Sequence, residues 1–156
     1  NGIELGLKIR NSFYDEGFNR EEMYDHNEAT GIVRGLYNDG KIFFEEEYLN
    51  GEGAGLKKEW YQNGNLKFEH GYNNGILDGV YNDYYENGNP KEKGNFKQSM
   101  RLGNWKEYDK LGNLTMSEKW EPLIDQSLSK CLERKCFNEI GDEVDCPELT
   151  NIRKTS

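Results

Sequence analysis

The stretch Glu59-Trp60-Tyr61-Gln62-Asn63-Gly64-Asn65-Leu66-Lys67-Phe68-Glu69-His70-Gly71-Tyr72-Asn73-Asn74-Gly75 decides the fold. It places Tyr61-x-x-Gly64 and Tyr72-x-x-Gly75 eleven residues apart, with an alternating run between them. Leu66, Phe68, His70 and Tyr72 fall on one parity, and Lys67 and Glu69 on the other. A period of two puts successive side chains on opposite faces of a strand. Asn-Gly tolerates the positive φ angles that match a hairpin turn to strand twist. The stretch therefore spans the entrance of one hairpin and the far end of its returning strand.

The same marks recur along the chain. Turn glycines Gly17, Gly40, Gly64, Gly88 and Gly112 are spaced 23, 24, 24 and 24 residues apart. A second aromatic follows eight residues after the last four of them, at Tyr48, Tyr72, Phe96 and Trp120, and Tyr24 follows Gly17 by seven. A third mark is Gly31, Gly55, Gly79 and Gly103. Each unit reads as strand, turn and strand, and a further turn such as Asn50-Gly51 leads into the next unit. One hairpin cannot bury its apolar face alone, so stability must come from neighbouring units. The expected fold is all-β: an elongated antiparallel meander of repeated hairpins.

Composition agrees with a thin core. Leu, Ile, Val and Phe are only 32 of 156 residues, while 20 are aromatic. Mean hydropathy is −1.03 and pI about 4.8. A net charge of −9 argues against nucleic acid or an anionic membrane surface, where basic patches supply the affinity. It makes basic partners easier to accommodate than acidic ones. The densest basic run, Lys91, Lys93, Lys97, Arg101 and Lys106, is interrupted by Glu92 and Glu107. No apolar run approaches the roughly 18 residues of a membrane-spanning helix.

The pattern Gly55-Leu56, Trp60-Tyr61-Gln62-Asn63-Gly64-Asn65-Leu66, Glu69, Tyr72-Asn73-Asn74-Gly75 resembles the MORN repeat in its bacterial variant form. It returns through Gly79, Tyr84-Tyr85-Glu86-Asn87-Gly88 and Gly103-Asn104-Trp105-Lys106-Glu107-Tyr108, covering residues 31–120 well and 6–30 loosely. The resemblance implies a hairpin solenoid that holds partners, and bacterial members are often labelled antitoxins or immunity proteins. Two departures stand out: the turn Asp109-Lys110-Leu111-Gly112 is expected to carry an extra residue with a bulge, and Pro90 replaces the apolar residue after Gly88.

We expect a repeat domain over residues 1–121 and a C-terminal cap over 122–156. In the cap, Ile124, Leu128, Cys131 and Leu132 fall at i, i+4, i+7 and i+8, predicting a short helix that begins near Pro122. Lys135 to Pro147 predicts a small extra hairpin flanked by Cys136 and Cys146, a candidate disulfide in an oxidising compartment. Cys131 makes the cysteine count odd.

Candidate chemistry is sparse. His70 lies on the aromatic parity, but equivalent positions hold Glu46, Gly94 and Glu118, so the repeat does not require it. Glu45-Glu46-Glu47 alternates faces and does not fix two carboxyls at one separation, as acid–base pairs need. Three thiols without a nearby His are a poor zinc set. No catalytic residue, metal or cofactor is expected. The remaining feature is aromatic: Trp60, Tyr61, Tyr84, Tyr85, Trp105 and Tyr108 recur on corresponding strands, either as packing between repeats or as a groove for a protein segment. The expectation is a non-enzymatic module that binds a protein partner, which by the resemblance would be a cognate toxin neutralised by occlusion. The alternative is a secreted or envelope-associated scaffold or glycan-binding protein. The start at Asn1 and the paired cysteines favour secretion or the envelope over the cytoplasm as an expected location.

Overall fold

A computed structural model describes residues 8–9, 18–22, 31–123 and 128–147. Among these described residues twelve strands follow one another in one open sheet: β1 Lys8–Ile9, β2 Phe18–Glu22, β3 Gly31–Tyr37, β4 Ile42–Leu49, β5 Glu52–Trp60, β6 Leu66–Asn73, β7 Ile76–Tyr84, β8 Pro90–Lys97, β9 Met100–Tyr108, β10 Leu114–Pro122, β11 Ser129–Phe137 and β12 Glu143–Val144. Every neighbour pair is antiparallel and spatial order equals sequence order. The predicted meander is present.

Its two rims are built from different turns. At one rim, Gly64 N–H donates to Tyr61 O and Tyr61 N–H to Asn65 O, both at 2.8 Å. The same two bonds close residues 37–41, 85–89, 109–113 and 138–142. In these turns only the glycine takes positive φ, +91° at Gly64. That is a type I turn followed by a left-handed glycine, and not the two-residue turn that Asn-Gly alone suggests. At the opposite rim both central residues have positive φ: Asn50 and Gly51, Asn74 and Gly75, Gln98 and Ser99.

Register explains the remaining sequence marks. Glu59 pairs with Phe68 and Trp60 with Leu66, leaving Lys67 bulged; Phe43, Lys91 and Thr115 hold the same place in their hairpins. The turn at 109–113 is therefore as long as the others, and its bulge is shared with the hairpins that turn at 37–41, 61–65 and 85–89, which corrects the expected extra residue. Gly55 (φ +78°), Gly79 (+111°) and Gly103 (+70°) lie where β5, β7 and β9 carry extra residues against β4, β6 and β8. A left-handed backbone at such a bulge favours glycine.

The C-terminal helix is corrected too. Cys131 and Leu132 belong to strand β11, whose Cys131, Arg134 and Cys136 pair with Trp120, Glu118 and Met116. Ile124 lies outside the described residues. Only four apolar positions supported the helix, and Leu128 and Leu132 are exposed. Pairing with the open edge of β10 satisfies a whole row of backbone groups, which outweighs so weak a stripe.

The core is one residue thick. Among the described residues only Trp105 (2 % exposed) and Cys136 (7 %) are buried apolar side chains. They share one face with Phe68, His70, Tyr81, Phe96, Met116, Glu118 and Trp120, as the pairing register requires. Trp105 packs edge-on to Phe96 at 4.9 Å and tilted against Tyr81 at 5.4 Å. Gly94 makes room for it: a Cβ there would lie 2.3 Å from the Trp105 ring.

Candidate functional site

Tyr61 and Tyr85 begin the turns rather than lying in strands, so their rings reach along the rim toward the next unit. Tyr37, Tyr61 and Tyr85 hydroxyls donate to the carbonyls of Trp60, Tyr84 and Tyr108, at 2.6, 2.9 and 2.9 Å. Each bond spans 23 residues. Beside them Asn63 and Asn65 amides both donate to Glu86 O at 2.8 Å, and Asn87 and Asn89 amides donate to Lys110 O at 2.7 and 2.9 Å. Lys41 Nζ takes the matching role toward Gln62 O at 3.0 Å. Two of the six aromatic residues, Tyr61 and Tyr85, thus tie repeat to repeat through their side chains. At Asp109 and Asn138 the tyrosine is gone, and these side chains accept N–H groups of their own turns instead.

Between successive turns lies an open hollow of about 590 Å³, lined by Tyr61, Asn63, Tyr85, Glu86, Asn87 and Lys110. Around the corner, alternation puts Trp60, Tyr84 and Tyr108 in a row on the sheet face opposite Trp105. Lys93 Nζ sits 5.3 Å over the Tyr84 ring on that face. Tyr61 and Tyr85 therefore meet in the hollow, and Trp60, Tyr84 and Tyr108 line the adjoining face. Trp105 joins neither, and a side chain 2 % exposed offers a partner no surface.

Burial pushes the Tyr37, Tyr81 and Tyr84 phenols up, Tyr81 to about 12 with help from the Asp83 charge. All three remain protonated donors at neutral pH. His70 is stacked between Phe68 at 4.4 Å and Tyr81 at 4.0 Å, with Nε2 2.8 Å from Asp83 Oδ1. The dyad has a packing role in the aromatic layer. Glu45 and Glu46 pair with Arg34 and Lys57, on opposite faces as the alternation requires.

A clamp at the C-terminal end has no signature in the residue pattern. Glu118, 2 % exposed in its side chain, accepts from Arg101 Nη1 at 3.0 Å, Arg134 Nε at 2.6 Å and Trp120 Nε1 at 2.8 Å. Arg101 also reaches Glu92 at 2.6 Å and lies 4.0 Å over Trp105. Only pairing of β9, β10 and β11 brings residues 101, 118 and 134 together, and no local spacing announces it. Cys136 and Cys146 are joined in a disulfide across the last hairpin, while Cys131 is free. Among the described residues no three His, Cys, Asp or Glu side chains gather as metal ligands, and no helix is long and apolar enough to cross a membrane.

Comparison with curated proteins returns no match. Residues 55–74 and 77–98 each match the MORN repeat variant family. The two units that hold Tyr61 and Tyr85 on the rim, with Trp60 and Tyr84 beside them, are thus similar to the MORN repeat variant, a non-catalytic repeat module.

Proposed function

We propose that this protein is a non-enzymatic binding module whose sheet receives a protein partner along the tyrosine rim and the adjoining aromatic row. The observation that supports this most is the rim itself. Its tyrosine and asparagine groups are spent on the next repeat, so the hollow and the row are rigid before any partner arrives. Rigid tyrosine and tryptophan surfaces lose little entropy on binding. The partner suggested by the MORN-variant resemblance is a toxin, neutralised by occlusion. A second reading, an envelope-associated or secreted scaffold, draws support from the Cys136–Cys146 disulfide, because such bonds persist in oxidising compartments.

Affinity capture under native conditions tests the main reading. The intact chain is expected to retain a defined protein that the variant Trp60→Ser/Tyr84→Ser/Tyr108→Ser loses while keeping its β-sheet circular dichroism. Capture of no protein, or equal capture by both, would overturn it. A captured protein that arrests growth alone and not with this chain supports the toxin reading. Fractionation of the source cell to an oxidising compartment supports the second.

A further inference from the structure

β8 and β9 set Lys93 directly opposite Lys106 on the face that carries Trp60, Tyr84 and Tyr108. Their neighbours on that face are uncharged: Asn82 pairs with Lys93, Ser117 pairs with Lys106, and Asn95 and Asn104 stand two residues along each strand. Lys119 pairs with Asn104 and so lies diagonal to Lys106, its nearest carboxylate Glu121 a full 4.0 Å away. Lys91 occupies the bulge at the rim end of β8. Elsewhere lysines meet acids: Lys57 with Glu46, Lys58 with Glu69, Lys67 with Glu59 and Lys97 with Asp78. Among the described residues Lys93 and Lys106 form no ion pair, as is also true of Lys110 and Lys130, but only Lys93 and Lys106 stand directly opposite each other. Like charges directly across a strand pair destabilise a sheet. In a chain of net charge −9 this is not for want of carboxylates.

We propose that the surface formed by Lys93, Lys106 and Lys119 with Tyr84 and Tyr108 docks an extended, acidic segment of a protein partner. This rests on the protein-binding reading above and supplies its chemistry. Alternate residues of an extended chain lie about 6.6–6.8 Å apart on one side, which is also the step from Asn104 to Lys106 along β9. Carboxylates at alternate positions meet the ammonium groups, and the Asn95 and Asn104 amides serve the segment's backbone, while Asn82 donates to Glu69 at the edge of the patch. Long polyanions suit the site less well. The patch is only the four strands β7–β10 wide, with Glu69 on one side, Glu133 on the other and the rim carboxylates Glu86 and Asp109 at its end. The chain's overall acidity hides the patch because the lysines alternate with Glu92 and Glu107, which point to the other face.

The test is fluorescence anisotropy with a short labelled peptide of alternating Glu and Thr added to the intact chain, and its Lys/Thr counterpart as control. The Glu peptide is expected to bind and the Lys peptide not. Lys93→Ser/Lys106→Ser should weaken binding about tenfold, and Lys93→Glu/Lys106→Glu should exchange the preference for the Lys peptide. That exchange cannot come from misfolding. Binding of the Glu peptide unaffected by either double variant, or a short DNA duplex or phosphatidylserine vesicles binding more tightly through the same lysines, would overturn the proposal. The two proposals separate in the capture experiment: a protein retained equally by wild type and Lys93→Ser/Lys106→Ser, but lost with the aromatic triple variant, leaves the binding module standing and removes the acidic segment.

Discussion

The two rims of this sheet solve one problem in different materials. At the tyrosine rim, repeats are joined by side chains: Tyr37, Tyr61 and Tyr85 hydroxyls and the asparagine amides reach carbonyls 21 or 23 residues on. At the opposite rim the backbone does the joining, with Gly75 N–H donating to Gly53 O and Ser99 N–H to Leu77 O, both at 2.8 Å and 22 residues apart. A side-chain ladder demands particular residues at each period. A backbone ladder demands only a conformation, so the last such turn can be Gln98-Ser99 where earlier ones hold Asn-Gly. The tyrosine ladder also has an end. It stops at Asp109, and the Glu118 clamp with the Cys136–Cys146 disulfide takes over.

The largest effect should come from that succession. Glu118→Ala takes their shared carboxylate from Arg101, which lies over the buried Trp105, and from Arg134, and removing one partner of a buried pair costs about 3–5 kcal/mol. Urea denaturation should show the loss; a change below about 1 kcal/mol would mean the clamp does not replace the ladder. Next comes the tyrosine rim. Tyr85→Phe/Asn87→Ala/Asn89→Ala removes three bonds to the next repeat and one within the turn, worth about 1 kcal/mol each, so a loss of about 2–4 kcal/mol is expected in the same measurement. The opposite rim should respond with the other sign. Gln98→Gly/Ser99→Gly relieves left-handed φ at two residues and breaks no backbone bond, so thermal unfolding is expected to move up by the equivalent of about 1 kcal/mol or less. A clear loss there would erase the distinction between the rims.

Much of this was legible because repetition multiplies a weak signal. Gly40, Gly64, Gly88 and Gly112 mark one turn type, and Gly55, Gly79 and Gly103 mark the places where β5, β7 and β9 carry extra residues. What failed had no repeat behind it. The four apolar residues assigned to a terminal helix lost to the edge of β10, and Arg101, Glu118 and Arg134 meet only through pairing. The aromatic set was legible as a pattern but divides by role: Tyr61 and Tyr85 bond the next unit, Trp105 is core, and Trp60, Tyr84 and Tyr108 line the open face.

The smallest expected effect is a pH dependence in the middle of the sheet, away from both rims. Burial raises the Glu92 carboxyl above its ordinary range, and Arg101 offsets this only in part. A carboxyl raised on folding favours the protonated form, so its ionisation costs the folded state as pH climbs through the folded value. Glu92→Gln should therefore be slightly more stable than wild type at neutral pH. The difference should close as pH falls through the carboxylate range, in paired thermal melts. A variant less stable at neutral pH would show that the Arg101 contact outweighs burial.

Hydrogen exchange on Tyr85→Phe tests the central claim most directly, because it reads both rims in one molecule. Loss of the Tyr85–Tyr108 bond is expected to reduce protection of amides in the 85–89 and 109–113 turns, while Gly75 and Ser99 keep theirs. Equal loss at both rims, or none at the tyrosine turns, would contradict a ladder of side chains joining one repeat to the next.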